Sequence, residues 1–161
     1  MRIRSESEDS SLKHYSVCTF FVRKSMNEKI YKKLISLTTK AIKKDEVPIG
    51  CVITKNKQII SSAYNQKITK MDPMAHAEIL AIKKACKKIK SWNLNDCELY
   101  VTLKPCNMCL TVINEARIKK IYYIVDNNKN VNNNMIITKI KNCEYESIFS
   151  EILSNFFKNK R

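Results

Sequence analysis

From Met26 onward the spacing of apolar residues changes period several times, and this succession limits the possible folds more than any other feature of the chain. Ile30, Leu34, Leu37, Ala41 and Ile42 recur at three- and four-residue steps and predict a helix with one buried face. Val47 to Thr54 then reads as a strand, Lys55-Asn56-Lys57 as a turn and Gln58 to Tyr64 as a second strand, together a hairpin. Asn65 to Met74 is a loop, with Asp72-Pro73 as a stop signal before the next helix. Ala75 to Ile89 is helical, with Ile79, Leu80, Ile82, Ala85 and Cys86 toward the core and Lys83, Lys84, Lys87 and Lys88 toward water. Cys97 to Leu103 reads as a strand, Cys106 to Ala116 as a helix and Ile118 to Val125 as a strand. An Asn-rich loop from Asp126 to Asn134 precedes a short strand, Ile136 to Ile140, and a closing helix, Ser147 to Phe157. A hairpin feeding two strand–helix crossovers implies an α/β fold, a mixed sheet of about five strands with helices on both faces.

The 161 residues suit one compact domain, placed at 26–161. Residues 1–25 lack sustained periodicity and read as an extension that is poorly ordered. Their acidic cluster, Glu6, Glu8 and Asp9, argues against a transit peptide, which is poor in acids. No apolar run approaches the ~18 residues that a membrane span needs, so no integral membrane role is expected.

Thirty Lys and Arg against fifteen Asp and Glu give a formal charge of +15. A coding bias toward Asn and Lys, with Gly50 as the single glycine, inflates the lysines but does not account for so few acids. The charge therefore points to a polyanionic partner without choosing among RNA, DNA and a membrane surface. Seven cysteines, an odd number in a chain able to build its own core, speak against a disulfide framework. An intracellular, reducing compartment follows, whether cytosol or organelle, and the thiols become candidate metal ligands.

Two short segments carry the chemistry: His76-Ala77-Glu78 and Pro105-Cys106-Asn107-Met108-Cys109. The other histidine, His14, falls in the unpatterned extension, which leaves His76 as the imidazole for a zinc site in the core. Cys106 and Cys109, three apart on a first helical turn, direct both sulfurs to one face. Pro105 suits the start of that turn, and the helix N-terminus favours thiolates. Three protein ligands, His76, Cys106 and Cys109, leave a fourth position open, the catalytic arrangement of zinc, with one Zn2+ per chain. Glu78, two residues beyond His76, can face that position as a proton carrier. A lone Cys-x-x-Cys is also compatible with a redox pair or half of a structural zinc site closed by Cys86, Cys97 or Cys143. The conjunction of His-x-Glu and Pro-Cys-x-x-Cys, each opening a helix, is the signature of zinc deaminases.

The chain resembles the tRNA adenosine deaminases, enzymes that convert the wobble adenosine of an anticodon to inosine. The resemblance is densest in Asp45-Glu46-Val47-Pro48-Ile49-Gly50, in Asp72-Pro73-Met74-Ala75-His76-Ala77-Glu78 and in Leu99 to Cys109. The Asp-Pro-x-Ala-His-Ala-Glu form is similar to the bacterial-type homodimeric enzyme. The resemblance implies a three-layer, cytidine-deaminase-like fold, a homodimer, and a tRNA anticodon stem-loop as substrate. It also implies Asn65 as a contact to the flipped nucleoside, and Pro48, Ile49 and Leu103 as walls of its pocket. Two positions depart from the family pattern: Lys104 stands where Glu is usual before Pro-Cys, and the segment after Val125 lacks the usual glycine.

Overall fold

A computed structural model describes residues 28–127 and 135–160, and among them the predicted periods become four helices and five strands. Helix α1 covers residues 28–42. It is followed by β1 (Gly50–Lys55), β2 (Gln58–Tyr64), α2 (Ala77–Ile89), β3 (Cys97–Leu103), α3 (Asn107–Glu115), β4 (Lys120–Val125), β5 (Ile137–Lys139) and α4 (Cys143–Lys158). The strands form one sheet in the order β2-β1-β3-β4-β5. Strand β1 runs antiparallel to β2 and β3, whereas β3, β4 and β5 are mutually parallel. The sheet is therefore mixed, and the α3 crossover joins two parallel neighbours as such connections require.

Alternation along the strands divides the core in two. Cys51, Ile53, Leu99, Val101 and Ile121 face α2 and α3. Val52 and Ile124 face the opposite side, where Ile30, Tyr31, Leu34 and Leu37 of α1 and Phe149 of α4 cover them. Tyr31 stacks on Tyr145 at 3.9 Å between ring centroids, which fastens α1 to α4. The result is the three-layer architecture expected from the sequence.

Boundaries moved where local hydrogen bonds overrule pattern. The first strand begins at Gly50 instead of Val47, because the Ile49 amide turns back to the Val47 carbonyl and Pro48 has no amide to offer a ladder. Helix α4 begins four residues earlier than read, at Cys143, because the Asn142 side chain accepts the Tyr145 amide and caps it. Ile42, placed on the buried face of α1, is 44 % exposed, and its neighbour Ala41, fully buried, takes the inward position of that last turn. The extension 1–25, and the part of the Asn-rich loop from 128 to 134, lie outside the described residues.

Edge strand β2 carries the free carbonyl of Ser62, and Lys84 from α2 donates to it at 3.1 Å. A lysine over an open edge discourages another strand from pairing there. Six described residues, Asp45, Asn56, Lys57, Met71, Lys90 and Arg117, take left-handed backbone angles without being glycine. The single glycine serves a different need. A Cβ at Gly50 would stand 2.9 Å from Leu37 Cβ and 3.3 Å from the Leu34 carbonyl, so α1 reaches β1 only because no side chain intervenes. Gly50→Ala is accordingly expected to destabilise the domain by about 1–3 kcal/mol, the usual range for overpacking. Denaturant unfolding of the two proteins side by side measures it.

Candidate active site

Strand pairing gathers several chain segments at one end of the sheet. The antiparallel register sets Cys51 beside Val101 and Gly50 beside Tyr64. The Gly50 amide donates to Thr102 Oγ1 at 3.1 Å, which ties the start of β1 to the end of β3. The Asn65 amide donates to the Ile49 carbonyl at 3.0 Å, and the Gln66 amide to the Ala75 carbonyl at 2.9 Å. Pro48, Ile49, Asn65, His76 and Leu103 are thereby brought to the same edge. Of these, Pro48 and Asn65 are buried, and Ile49, His76 and Leu103 are half-buried.

Both helices that serve the site begin there. His76 is the N-cap of α2, with extended backbone (φ −72°, ψ 151°), and its carbonyl accepts the Leu80 amide at 3.0 Å. Cys106 is the N-cap of α3, also extended (φ −77°, ψ 168°), with its carbonyl accepting the Leu110 amide at 2.9 Å. Neither side chain caps its own helix, so both remain free for other partners. Cys109 follows three residues later on the same helical face, as the spacing predicted. Pro105 directly precedes the cap.

His76, Cys106 and Cys109 offer one nitrogen and two sulfurs that all lie within 4.8 Å of one another. His76 Nδ1 is 3.8 Å from Cys106 Sγ and 3.4 Å from Cys109 Sγ. Tetrahedral zinc with bonds of about 2.0–2.1 Å to nitrogen and about 2.3 Å to sulfur requires nitrogen–sulfur separations of roughly 3.6 Å. The two distances bracket that figure, so the trio fits zinc in both donor type and spacing. Cys86 lies elsewhere, its Sγ 3.9 Å from the Trp92 carbonyl, and neither it nor Cys97 joins this cluster. The Cys143 side chain falls outside the described residues.

The electrostatics of the cluster follow from its closeness. Hydrogen bonds from Cys109 and then His76 hold the Cys106 thiol down to about 3. The same contact with Cys106, together with burial, pushes the Cys109 thiol far up. Two sulfurs so near each other share one proton until a cation makes both thiolates favourable. His76 is raised, chiefly by its hydrogen bond with Cys106.

Glu78 occupies the first turn of α2 and is 4 % exposed. Burial pushes its carboxyl above the ordinary carboxylate range, against the opposing pull of its own backbone amide and of His76. Its charge is coupled to those of His76 and Cys106, in keeping with its place in the first turn of the helix that His76 caps. A carboxyl raised toward neutrality and set beside such a cluster can both take and return a proton.

Glu46 was not singled out for a role by sequence reasoning. It is fully buried, and its two oxygens accept from Asn65 Nδ2 at 3.3 Å and from the Thr69 amide at 2.7 Å. An acid beside Asp45 at a helix end reads as surface, and no pattern in the sequence marks it as interior. Lys104, the first departure from the family pattern, pairs with Asp126 at 3.3 Å and lies over the Tyr123 ring at 5.9 Å. The second departure begins at the same pair, and Asn127 donates to the Lys104 carbonyl at 2.7 Å.

Comparison with known proteins agrees with this geometry. The family model of the MafB19-like deaminases matches residues 25–161. The tRNA-specific adenosine deaminase of Rickettsia bellii (strain RML369-C) is 40% identical over 134 residues, 75% of this chain and 92% of that protein. The chain belongs to this family of deaminases. A structure from a study of A-to-I editing by tRNA:A34 deaminases shares 35% identity with a TM-score of 0.60, covering 63% of this chain and 78% of that one. The guanine deaminase of Bacillus subtilis shares the deaminase fold at 30% identity and a TM-score of 0.58, over 77% of this chain and 91% of that one. Within the family's fold, the donor trio leads to a direct expectation. Cys106→Ser and Cys109→Ser should each weaken zinc binding by at least about 100-fold, more than loss of a supporting contact does. Cys86→Ser should leave it unchanged, with both effects read by metal analysis and competition with a chelator.

Proposed function

We propose that this chain converts adenosine to inosine at the wobble position of tRNA by zinc-dependent hydrolysis. One observation carries the reading: a His/Cys/Cys donor cluster with a buried glutamate against it, in a chain alike along most of its length to a tRNA-specific adenosine deaminase. His76, Cys106 and Cys109 hold one zinc per chain. The ion supplies Lewis acidity that makes water a nucleophile near neutral pH.

The remaining work falls to the protein's own side chains. Glu78 takes a proton from the attacking water and passes it to a ring nitrogen of adenine. It then helps protonate the exocyclic nitrogen, which leaves as ammonia while the water oxygen becomes the inosine oxygen. Pro48, Ile49 and Leu103 wall the pocket and exclude bulk water, and Asn65 orients the nucleoside. The adenosine must leave its stack to reach Glu78, at least cost from a loop that is already single-stranded. Exposed lysines, among them Lys83, Lys87 and Lys88 on α2 and Lys119 beyond α3, offer cations for the phosphates of the stem-loop.

The protein acts as a homodimer on this reading. Ile68, Met71 and Met74 support it: they are 57, 92 and 53 % exposed on the loop that leads into His76, an apolar group suited to cover by a second copy. The five described cysteines are all free thiols, which supports work in a reducing compartment. Among the described residues no helix is long and apolar enough to cross a membrane.

The likeness to a guanine deaminase favours one rival, a deaminase of small bases. An anticodon stem-loop with adenosine at the wobble position separates the two. Inosine should form on it, and guanine should not be turned over. Glu78→Gln should lower the rate by about 100-fold or more while zinc stays bound. Turnover of guanine with no inosine in the stem-loop would reverse the assignment. Native mass spectrometry should show a dimer, and a monomer with full activity would remove that part.

A further inference from the structure

Glu46 joins no ion pair among the described residues, although its carboxylate is fully buried. Burying a carboxylate away from water is costly unless its oxygens are hydrogen-bonded. Here both bonds run to one segment, the loop from β2 to α2. Asn65 Nδ2 donates to one oxygen and the Thr69 amide to the other. That loop begins at Asn65 and ends at His76, so its shape sets the distance between a nucleoside contact and a metal ligand.

The chemistry of the pair is directional. A carboxylate only accepts, so Asn65 must turn its NH2 group toward Glu46. One N–H is thereby used, while the second N–H and Oδ1 take no partner among the described residues. Asn65 is itself only 4 % exposed, so these unpartnered groups are held in place with little bulk water around them. Any neutral residue at position 46 with both a donor and an acceptor would allow the amide to lie either way round.

We propose that Glu46 is a positioning residue for the deamination, fixing which end of the Asn65 amide meets the bound nucleoside. This rests on the functional reading above. Glu46 stands outside the donor trio and acts through Asn65, with the Thr69 amide holding its other oxygen.

Glu46→Gln tests the idea with little change of size. The Thr69 amide keeps the carbonyl of the substituted side chain as its acceptor. The new NH2 group then faces the Asn65 NH2, and the Asn65 amide turns over. The side-chain NH2 signals of Asn65 in the 15N–1H spectrum of the zinc-loaded chain, assigned by their loss in Asn65→Ala, should shift in Glu46→Gln. With the wobble-adenosine stem-loop, Glu46→Gln should lower kcat/KM at least about tenfold, as expected for loss of a well-placed charged hydrogen bond. In the Asn65→Ala background the same change should cost less than about twofold, because the residue it acts through is gone. Zinc content should match the unmutated chain throughout. An equal loss in both backgrounds, no loss in either, unmoved Asn65 signals or loss of zinc would overturn the assignment. Failure of the unmutated chain to form inosine would instead remove the functional reading, and the amide signals would still report whether Glu46 holds Asn65.

Discussion

Two helices that start at the same place govern the rest of this site. Helices α2 and α3 each open on a residue whose side chain turns away from the usual capping role. Ser, Thr, Asp or Asn at those positions contributes about 1 kcal/mol by satisfying a free amide. His76 and Cys106 forgo that contribution and point instead at each other. The convergence also aims two positive helix ends at one spot, which favours thiolates and an ionised carboxylate there. Anything that moved one helix start, such as a different register of β1 on β3, would separate the nitrogen from the sulfurs.

The sheet supplies that alignment through its order. Because β1 is antiparallel to β3, the beginning of one strand lies beside the end of the other. The chain leaving β3 and the chain approaching β1 therefore meet at a single edge, and the loop after β2 joins them. Such an edge, outside the carboxyl end of a central strand, is where open α/β sheets place their sites. The same frame occurs in a guanine deaminase, so the frame does not choose the base. The segments that converge at that edge are the start of β1, the end of β3 and the loop before α2.

Much of this could be read from residue order. Hairpin β1–β2 followed from alternation around Asn56-Lys57, and β2 and β3 have the bounds that were read. The candidate donor trio was legible because its spacing, three apart on one side and before a glutamate on the other, has few other uses, and the fold does bring the three residues together. Some of what escaped was set by local hydrogen bonds that an apolar pattern does not show. The stretch from Val47 to Ile49 is kept out of the ladder by the Ile49 amide turning back to the Val47 carbonyl, although its apolar pattern resembled a longer strand. Asn142 looked like one more Asn in an Asn-rich tail, and only its bond to the Tyr145 amide marks it as a cap. Glu46 was hidden for the opposite reason: an acid reads as solvated unless its partners, 19 and 23 positions away, are known.

Glycine usage separates two kinds of constraint that are commonly treated as one. Six described residues hold left-handed torsions with a side chain attached, a strain of order 1 kcal/mol each that the surrounding turns tolerate. At Gly50 the obstacle is not a torsion but matter, since Leu37 already occupies the volume a methyl group would need. A coding drift that strips glycine from a protein can therefore pass through the described turns of this fold and still halt at the seam between α1 and β1. Torsional strain adds up gradually along a chain, whereas overlap of atoms sets a limit.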